Sequence, residues 1–245
     1  MDPIAHDTIV LDVVDSTNTW AKKNLASLSQ DKPTCIIARS QTKGRGRYGQ
    51  TWVSPKDLNL YFTLAEKVTA PLALPHYAEV ATLAIQTTLW DWQLPSSIKW
   101  PNDVLVDNKK IAGVIVEEAS LDNASWAILG IGLNVNMGRD EFREIERPAT
   151  SMLLALGTHF PIEAVRNSLK EKLLELLAWA KNNPDQCHER WARACSWILG
   201  KEISIHTGPY EKISGIALEI TAEGHLLVKT ASGKIVTVAS GHLQN

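Results

Sequence analysis

The stretch Gln41-Thr42-Lys43-Gly44-Arg45-Gly46-Arg47-Tyr48-Gly49-Gln50-Thr51-Trp52-Val53-Ser54-Pro55 decides the fold class. It contains the spacing G-x-G-x-x-G, which marks a dinucleotide-binding turn when it follows a strand and opens a helix. The strand is present, in the apolar, β-branched run 34–40. The helix is not, because Gln50–Pro55 is β-branched, aromatic and ends at a proline. Two arginines inside the turn also do not suit a phosphate site made of backbone N–H groups and a helix N-terminus. No V-A-I-K or H-R-D segment follows, as a kinase requires, and no P-loop is present. A doubly wound nucleotide-binding sheet is therefore excluded, and the loop must belong to another architecture.

Outward from the loop, 8–14 and 58–65 read as further strands, and Asp15-Ser16-Thr17-Asn18-Thr19 supplies several possible N-caps for a helix that carries Trp20, Ala21, Leu25 and Leu28. A helix is predicted from Leu74 to Trp92, with Pro75 in its first turn. Short β-type runs fill 98–100, 103–106, 111–117 and 126–135, and Asp107–Lys110 is hairpin punctuation between two of them. After Pro148 the pattern becomes helical: 149–156, 162–181 and 184–199. Four short strand-like segments over 201–239 then predict a small β-barrel. Because most adjacent strands lack crossover helices, the class is α+β: a mixed or antiparallel sheet flanked by helices, residues 1–199, followed by a small C-terminal SH3-like β-barrel, residues 200–245.

Composition limits the function classes. Among 245 residues, 25 Lys+Arg face 27 Asp+Glu, a formal net charge of −2, which is not the surface of a general nucleic-acid or anionic-lipid binder. No run approaches the roughly 18 apolar residues of a membrane span, and the N-terminus lacks the flank of a secretory signal. Three cysteines without C-x-x-C spacing fit a reducing cytosol, so a cytoplasmic location is expected. Cys187, His188 and Cys195 could be grouped as metal ligands, but a fourth is missing and a helical face is the better reading.

Three constellations carry chemistry. Lys43, Arg45 and Arg47 on a flexible backbone can wrap a small anion with bidentate guanidinium contacts, and Trp52 offers a flat ring for stacking. By itself this loop is equally compatible with an RG-type segment on RNA. Lys99-Trp100-Pro101-Asn102-Asp103 places a cation, an amide and a carboxylate around a kink, where Asn102 and Asp103 can hold hydrated Mg²⁺ or a nucleotide hydroxyl. Lys109-Lys110 precedes Ala112-Gly113, and Gly130-Ile131-Gly132-Leu133-Asn134 marks close backbone approach beside an orientable amide. Together they describe a site for a phosphate-bearing substrate.

In order along the chain, Asp15-Ser16-Thr17-Asn18, the loop from Gln41 to Pro55, Lys99–Asp103 with Lys110–Gly113, and Gly132-Leu133-Asn134 resemble the biotin protein ligases. The resemblance covers about residues 8–136 and reaches the C-terminal segment by architecture only. It implies a monofunctional enzyme, since a first strand near Thr8 leaves no room for an N-terminal DNA-binding domain. The implied reaction uses ATP, with Mg²⁺, to convert biotin to biotinyl-5′-adenylate, and passes the acyl group to a lysine of a biotin carboxyl carrier protein. The resemblance implies biotin contacts at Ser16, Thr17, Asn18, Gln41, Gly44, Arg45, Lys110 and Gly113. It implies ATP or adenylate contacts at Arg47, Trp52, Asn102, Asp103 and Asn134, with Asp103 as the Mg²⁺ carboxylate. Lys110, with Arg45 and Arg47, is implied as catalytic. Many members carry a cation directly after the loop's last glycine, where this chain has Gln50 and Thr51.

A lipoate–protein ligase is the nearest alternative enzyme, and a non-catalytic biotin sensor or RNA binder the alternative of another class. No nucleic-acid or membrane partner is expected, and a monomer and a homodimer fit equally. Trp90, Trp92, Trp179, Trp191 and Trp197 are expected to pack between helices. His6, His76, His159, His206, His225 and His242 show no partner in the sequence and are read as surface residues.

Overall fold

The computed structural model describes residues 4–68, 72–143, 145–208 and 211–244. The elements run β1 (Asp7–Val14), α1 (Thr17–Lys23), β2 (Thr34–Gln41), β3 (Leu60–Lys67), α2 (Leu74–Asp91), β4 (Ser97–Lys99), β5 (Asp103–Val106), β6 (Lys109–Leu121), β7 (Ala124–Leu133), α3 (Met152–Leu156), α4 (Ile162–Asn182), α5 (Pro184–Cys195), β8 (Glu202–His206), β9 (Lys212–Ile220), β10 (Leu226–Lys229), β11 (Ile235–Val238) and β12 (His242–Gln244). The first seven strands form one mixed sheet in the order β1-β2-β3-β7-β6-β5-β4. Only β1 and β2 pair in parallel, with α1 as their crossover; the remaining pairs are antiparallel hairpins and neighbours.

Alternation along β7 sorts the two faces of this sheet. Ala127, Leu129, Ile131 and Leu133 join the large core under α2, α4 and α5, whereas Trp126 and Ile128 join the small cluster under α1. α4 buries Val165, Leu169, Leu173 and Leu177 at steps of one helical turn, the stripe that a core-facing helix requires. Past Ile128, the α1 face carries Gly130 and Gly132 instead of bulky residues, leaving open sheet beyond the end of α1.

The C-terminal strands form a five-stranded antiparallel sheet, β11-β10-β9-β8-β12. The expected barrel is not closed: β11 and β12 are its two unpaired edges among the described residues, and they are only four and three residues long. Closure demands edge strands that reach one another at a fixed stagger. Here the apolar face is covered another way. Ile203, Ile205, Leu226, Val228 and Leu243 belong to the same core cluster as the large sheet, through Ile198 and Trp191. The fifth strand, β12, was not foreseen. Two tryptophans also differ from expectation: Trp90 is 52% and Trp179 37% exposed, whereas Trp191 is buried and Trp92 stacks edge-on to Phe160.

Candidate active site

The open patch is filled by side chains seated on glycines. Gly113 on β6 pairs with Gly132 on β7, so both present the same face. A Cβ on Gly132 would lie 2.3 Å from the Trp52 indole, one on Gly113 2.9 Å from the Lys110 Nζ, and one on Gly130 2.5 Å from Asn18 Oδ1. Such distances are far inside van der Waals contact, so any other residue there would displace the side chain above it. The glycine-rich loop descends onto the same patch. A Cβ on Gly44 would meet the Trp52 carbonyl at 2.3 Å and Ser54 Oγ at 2.6 Å.

One end of the patch is polar and buried. Ser16, Thr17 and Asn18, at the start of α1, are at most 5% exposed. Thr17 donates its N–H and hydroxyl to Gln41 Oε1 at 2.9 and 3.2 Å, and Gln41 Nε2 donates to Ser54 Oγ at 3.0 Å. Asn18 Oδ1 accepts from Thr63 at 2.6 Å, and its Nδ2 donates to Glu117 at 2.9 Å. Glu117 also binds Lys22 at 2.7 Å and Arg45 at 3.0 Å. Burial pushes its carboxyl up, but hydrogen bonds from Lys22 and Asn18, then the charge of Arg45, outweigh that and hold it below its ordinary range. Glu117 was absent from the expected site residues. Strand parity would have found it, because 113, 115 and 117 share one face of β6.

The other end is charged. Lys110 Nζ lies 2.6 Å from Asp103 Oδ1 and 5.5 Å from the centre of a Trp52 ring. Its backbone is clamped by an extended strap: Lys110 N–H donates to Pro148 O and Thr150 N–H to Lys110 O, both at 2.9 Å. That pairing keeps Ala149 and Thr150 extended, so the helix expected from residue 149 starts only at Met152. Asn134 is buried beneath the strap, donating to Thr150 O at 3.0 Å and accepting from Asn59 at 3.3 Å; it fastens the strap to β7. Arg47 donates to Asn102 Oδ1 at 2.8 Å and to the Tyr48 hydroxyl at 3.0 Å. Asn102 in turn donates to the Val114 carbonyl. Tyr48 adopts a left-handed backbone (φ 53°), a strain of roughly 1–2 kcal/mol. Its hydroxyl bonds Ser240 of the C-terminal sheet at 2.9 Å. The loop is thereby tied down at both ends of the patch.

Beside Lys110 opens a cavity of about 760 Å³ between the two sheets, lined by Lys99, Asp103, Lys110, Arg147, Lys201 and His242 among others. Its lining carries four cations, Lys99, Lys110, Arg147 and Lys201, against the two carboxylates Asp103 and Glu202, within a chain of net charge −2. Desolvation pushes the Lys99 ammonium down, the charges of Lys110 and Arg147 adding to that and Asp103 opposing it. His242 is pushed down to about 4, first by burial and then by Arg147, with Lys99 and Lys110 adding and Asp103 opposing. His242 was expected on the surface without partners; the β12 strand brings it into this cavity instead. Arg147 was not singled out either, since its place depends on the strap.

The expected site residues gather around the glycine patch, Arg47 and Asn102 lining one cavity beside it and Asp103 and Lys110 another. Ser16, Thr17, Asn18, Gln41, Gly44 and Arg45 gather at the polar end, and Arg47, Asn102, Asp103 and Lys110 at the charged end. Trp52 and Gly113 lie between, with Asn134 beneath. The indole N–H of Trp52 is buried with no hydrogen-bond partner among the described residues, a free donor at the middle of the patch. The surface can hold an elongated ligand with a polar head, an anionic centre and a polyphosphate.

Comparison with known proteins identifies the family. The Biotin/lipoate A/B protein ligase family matches residues 10–134, and the Biotin protein ligase C terminal domain matches residues 198–242. The biotin–acetyl-CoA-carboxylase ligase of Mycobacterium tuberculosis is 29% identical, over 94% of this chain and 87% of that protein. The protein of the same name in Paracoccus denitrificans is 31% identical, over 92% and 95%. Among solved structures, a biotin protein ligase from Aquifex aeolicus in complex with biotin and ATP superposes with a TM-score of 0.80, at 29% identity and 97% coverage of both chains. No helix among the described residues is long and apolar enough to cross a membrane.

Proposed function

Because the chain belongs to the biotin/lipoate A/B protein ligase family and has the activity of a biotin–protein ligase, we propose that its site residues divide that work as follows. Biotin lies along the glycine patch with its ring system at the polar end, where Ser16, Thr17, Asn18 and Gln41 offer donors and acceptors in a buried setting. Its chain passes Gly44 and Gly113, and its carboxylate reaches Lys110, while Arg45 at the polar end stays paired with Glu117. ATP occupies the cationic cavity, with the adenine near Trp52 and the phosphates toward Lys110, Lys99 and Arg147; Asn134, with both amide atoms engaged, holds the strap in place.

Lys110 is the catalytic centre. Its ammonium touches both the attacking carboxylate and the α-phosphate, two anions that repel each other without it. A positive charge at 4 Å from each contributes about 4 kcal/mol per anion at an effective dielectric near 20. The carboxylate oxygen attacks the α-phosphorus, the bond to the β-phosphate oxygen breaks, and pyrophosphate leaves with the electron pair. Negative charge develops on the α-phosphate oxygens, which Lys110 and Arg47 are placed to stabilise. Asp103 holds Lys110 in position. Asp103 would also be the carboxylate that holds the Mg²⁺ accompanying ATP, an ion that would supply neutralisation of phosphate charge.

Arg47, Tyr48 and Asn102 keep the loop closed over the mixed anhydride, excluding water that would hydrolyse it. In the second step a carrier lysine, as the free amine, attacks the acyl carbon, forms the amide and releases AMP. The acceptor is the carrier domain of acetyl-CoA carboxylase, and the three buried free cysteines support a reducing, cytoplasmic setting.

The observation that carries this reading is the seating of Lys110 on Gly113, at the junction of the polar end and the cationic cavity. Incubation with ATP, Mg²⁺, biotin and an acceptor domain, read by the mass of the carrier, tests it. Biotinylation with pyrophosphate release is expected. Equal use of lipoate, or no acyl transfer, would refute the biotin assignment.

A further inference from the structure

Away from the glycine patch, His76 and Glu79 lie one turn apart on α2, and His188 reaches them from α5. His76 Nδ1 is 3.0 Å from Glu79 Oε2, His188 Nδ1 is 3.0 Å from Glu79 Oε1, and all three donor atoms lie within 4.8 Å of one another. Glu79 is 2% and His188 8% exposed. Cys187 and Cys195, which the sequence placed beside His188, are buried in the core and take no part.

We propose that His76, Glu79 and His188 form a transition-metal site of the zinc type at the seam between the catalytic domain and the C-terminal sheet. Two imidazoles and one carboxylate are the donor set of three-ligand zinc sites, whereas Mg²⁺ and Ca²⁺ require all-oxygen shells. Bonds of about 2.0–2.2 Å in tetrahedral geometry separate the donors by roughly 3.3 Å, so the cluster needs shifts of tenths of an ångström to about one ångström. Glu79 lines a cavity of about 330 Å³ together with Glu223, Gly224 and His225 of the C-terminal sheet, and with Arg47 and Asn102 on its other side; that cavity offers room for a water as fourth ligand. A Cβ on Gly224 would lie 3.3 Å from Glu79 Oε1. The ion would join α2 and α5 to the turn 221–224, which also receives the Trp100 indole N–H at the Gly224 carbonyl, 2.9 Å away.

The test uses the untagged, chelator-dialysed full chain, titrated with Co²⁺ for its visible absorption and with Zn²⁺ in competition. One ion per chain is expected, with four-coordinate Co²⁺ bands that Zn²⁺ abolishes and Mg²⁺ does not. His188→Gln and His76→Gln should each weaken binding by more than the about 10–100-fold that loss of an outer partner costs. His159→Gln should leave it unchanged. If the variants fail to fold, carbethoxylation of the parent chain decides instead, since Zn²⁺ should shield His76 and His188 but not His159. Absence of saturable Co²⁺ binding, binding retained in His188→Gln, or no shielding would each reduce the cluster to an ion-paired carboxylate and overturn the proposal.

Discussion

Lys110→Met keeps the aliphatic stem that lies over Trp52 and Gly113 and removes only the charge, so it isolates the ammonium. Two effects follow, of different size. Asp103 loses a partner at 2.6 Å in a pair whose side chains are 31% and 11% exposed. That lies between an exposed pair and a buried one, so the cost to stability is about 1–2 kcal/mol. For a chain of this length it lowers the melting temperature by roughly 2–8 °C. The catalytic effect is larger. Part of the attraction to the two anions is already present with bound substrates and cancels; the part that grows as charge moves onto the α-phosphate is about 3–4 kcal/mol, a 10²–10³-fold loss. Biotin-dependent exchange of pyrophosphate into ATP reads the adenylation step alone. Exchange should fall by that factor in a protein that still melts cooperatively. Transfer from biotinyl-adenylate supplied directly should fall by less than about tenfold, because the bypassed step is the one that needs the ammonium. Exchange within about fivefold of the parent, roughly 1 kcal/mol, would refute the role given to Lys110.

Gly132→Ala drives a Cβ to within 2.3 Å of the Trp52 indole; it should cost about 1–3 kcal/mol of stability and raise KM for ATP, and an unchanged urea midpoint with unchanged KM would contradict the seating of that ring. Arg47→Gly removes the contacts to Asn102 and Tyr48 and should release adenylate into solution, so that lysines of a bystander protein become biotinylated; labelling confined to the carrier lysine would count against retention by the loop. His242 titrates near 4 when folded and near 6.5 when unfolded. The unfolded chain therefore binds the extra proton between those values, and the stability contributed by neutral His242 is complete above pH 6.5 and lost as pH falls toward 4. His242→Gln should flatten that part of the stability profile by no more than about 3 kcal/mol, and nearer 1 because the ring is partly exposed; an unchanged slope between pH 6.5 and 4 would show that the imidazole is not held neutral in the cavity.

What the sequence made legible was local. The apolar runs became β2 and β3, the stripe at 165–177 became α4, and the missing helix after Gly49 correctly removed the dinucleotide reading. The parts that were not legible depend on distant pairing. Nothing near Arg147 announces that residues 148–150 run beside Lys110, because a parallel bridge leaves no periodicity in either segment. His76 and Glu79 could be placed on one helical face by their spacing of three, but His188 joins them only when α5 packs on α2. The open C-terminal sheet was misread as a barrel because even strand spacing reports hairpins and says nothing of closure. What covers the apolar face is decided by the rest of the molecule.

That cover also explains why the two domains form a single site. The mixed sheet offers a flat, glycine-lined bed with no wall on the side of Asn102 and Lys110. The C-terminal sheet supplies the wall. Ser240 shares a hydrogen bond with the Tyr48 hydroxyl, the Gly224 carbonyl receives the Trp100 indole, and His242 and Lys201 complete the cationic cavity. On the proposed reading, a polyphosphate would lie between elements of both sheets, where exclusion of water would strengthen each charge contact. The same geometry lets one small loop answer to both substrates: its Arg45 end rests on Glu117 at the polar end, and its Tyr48 end rests on the C-terminal sheet beside the cavity. Gly46 lies between those two anchors without a short contact at its Cβ position.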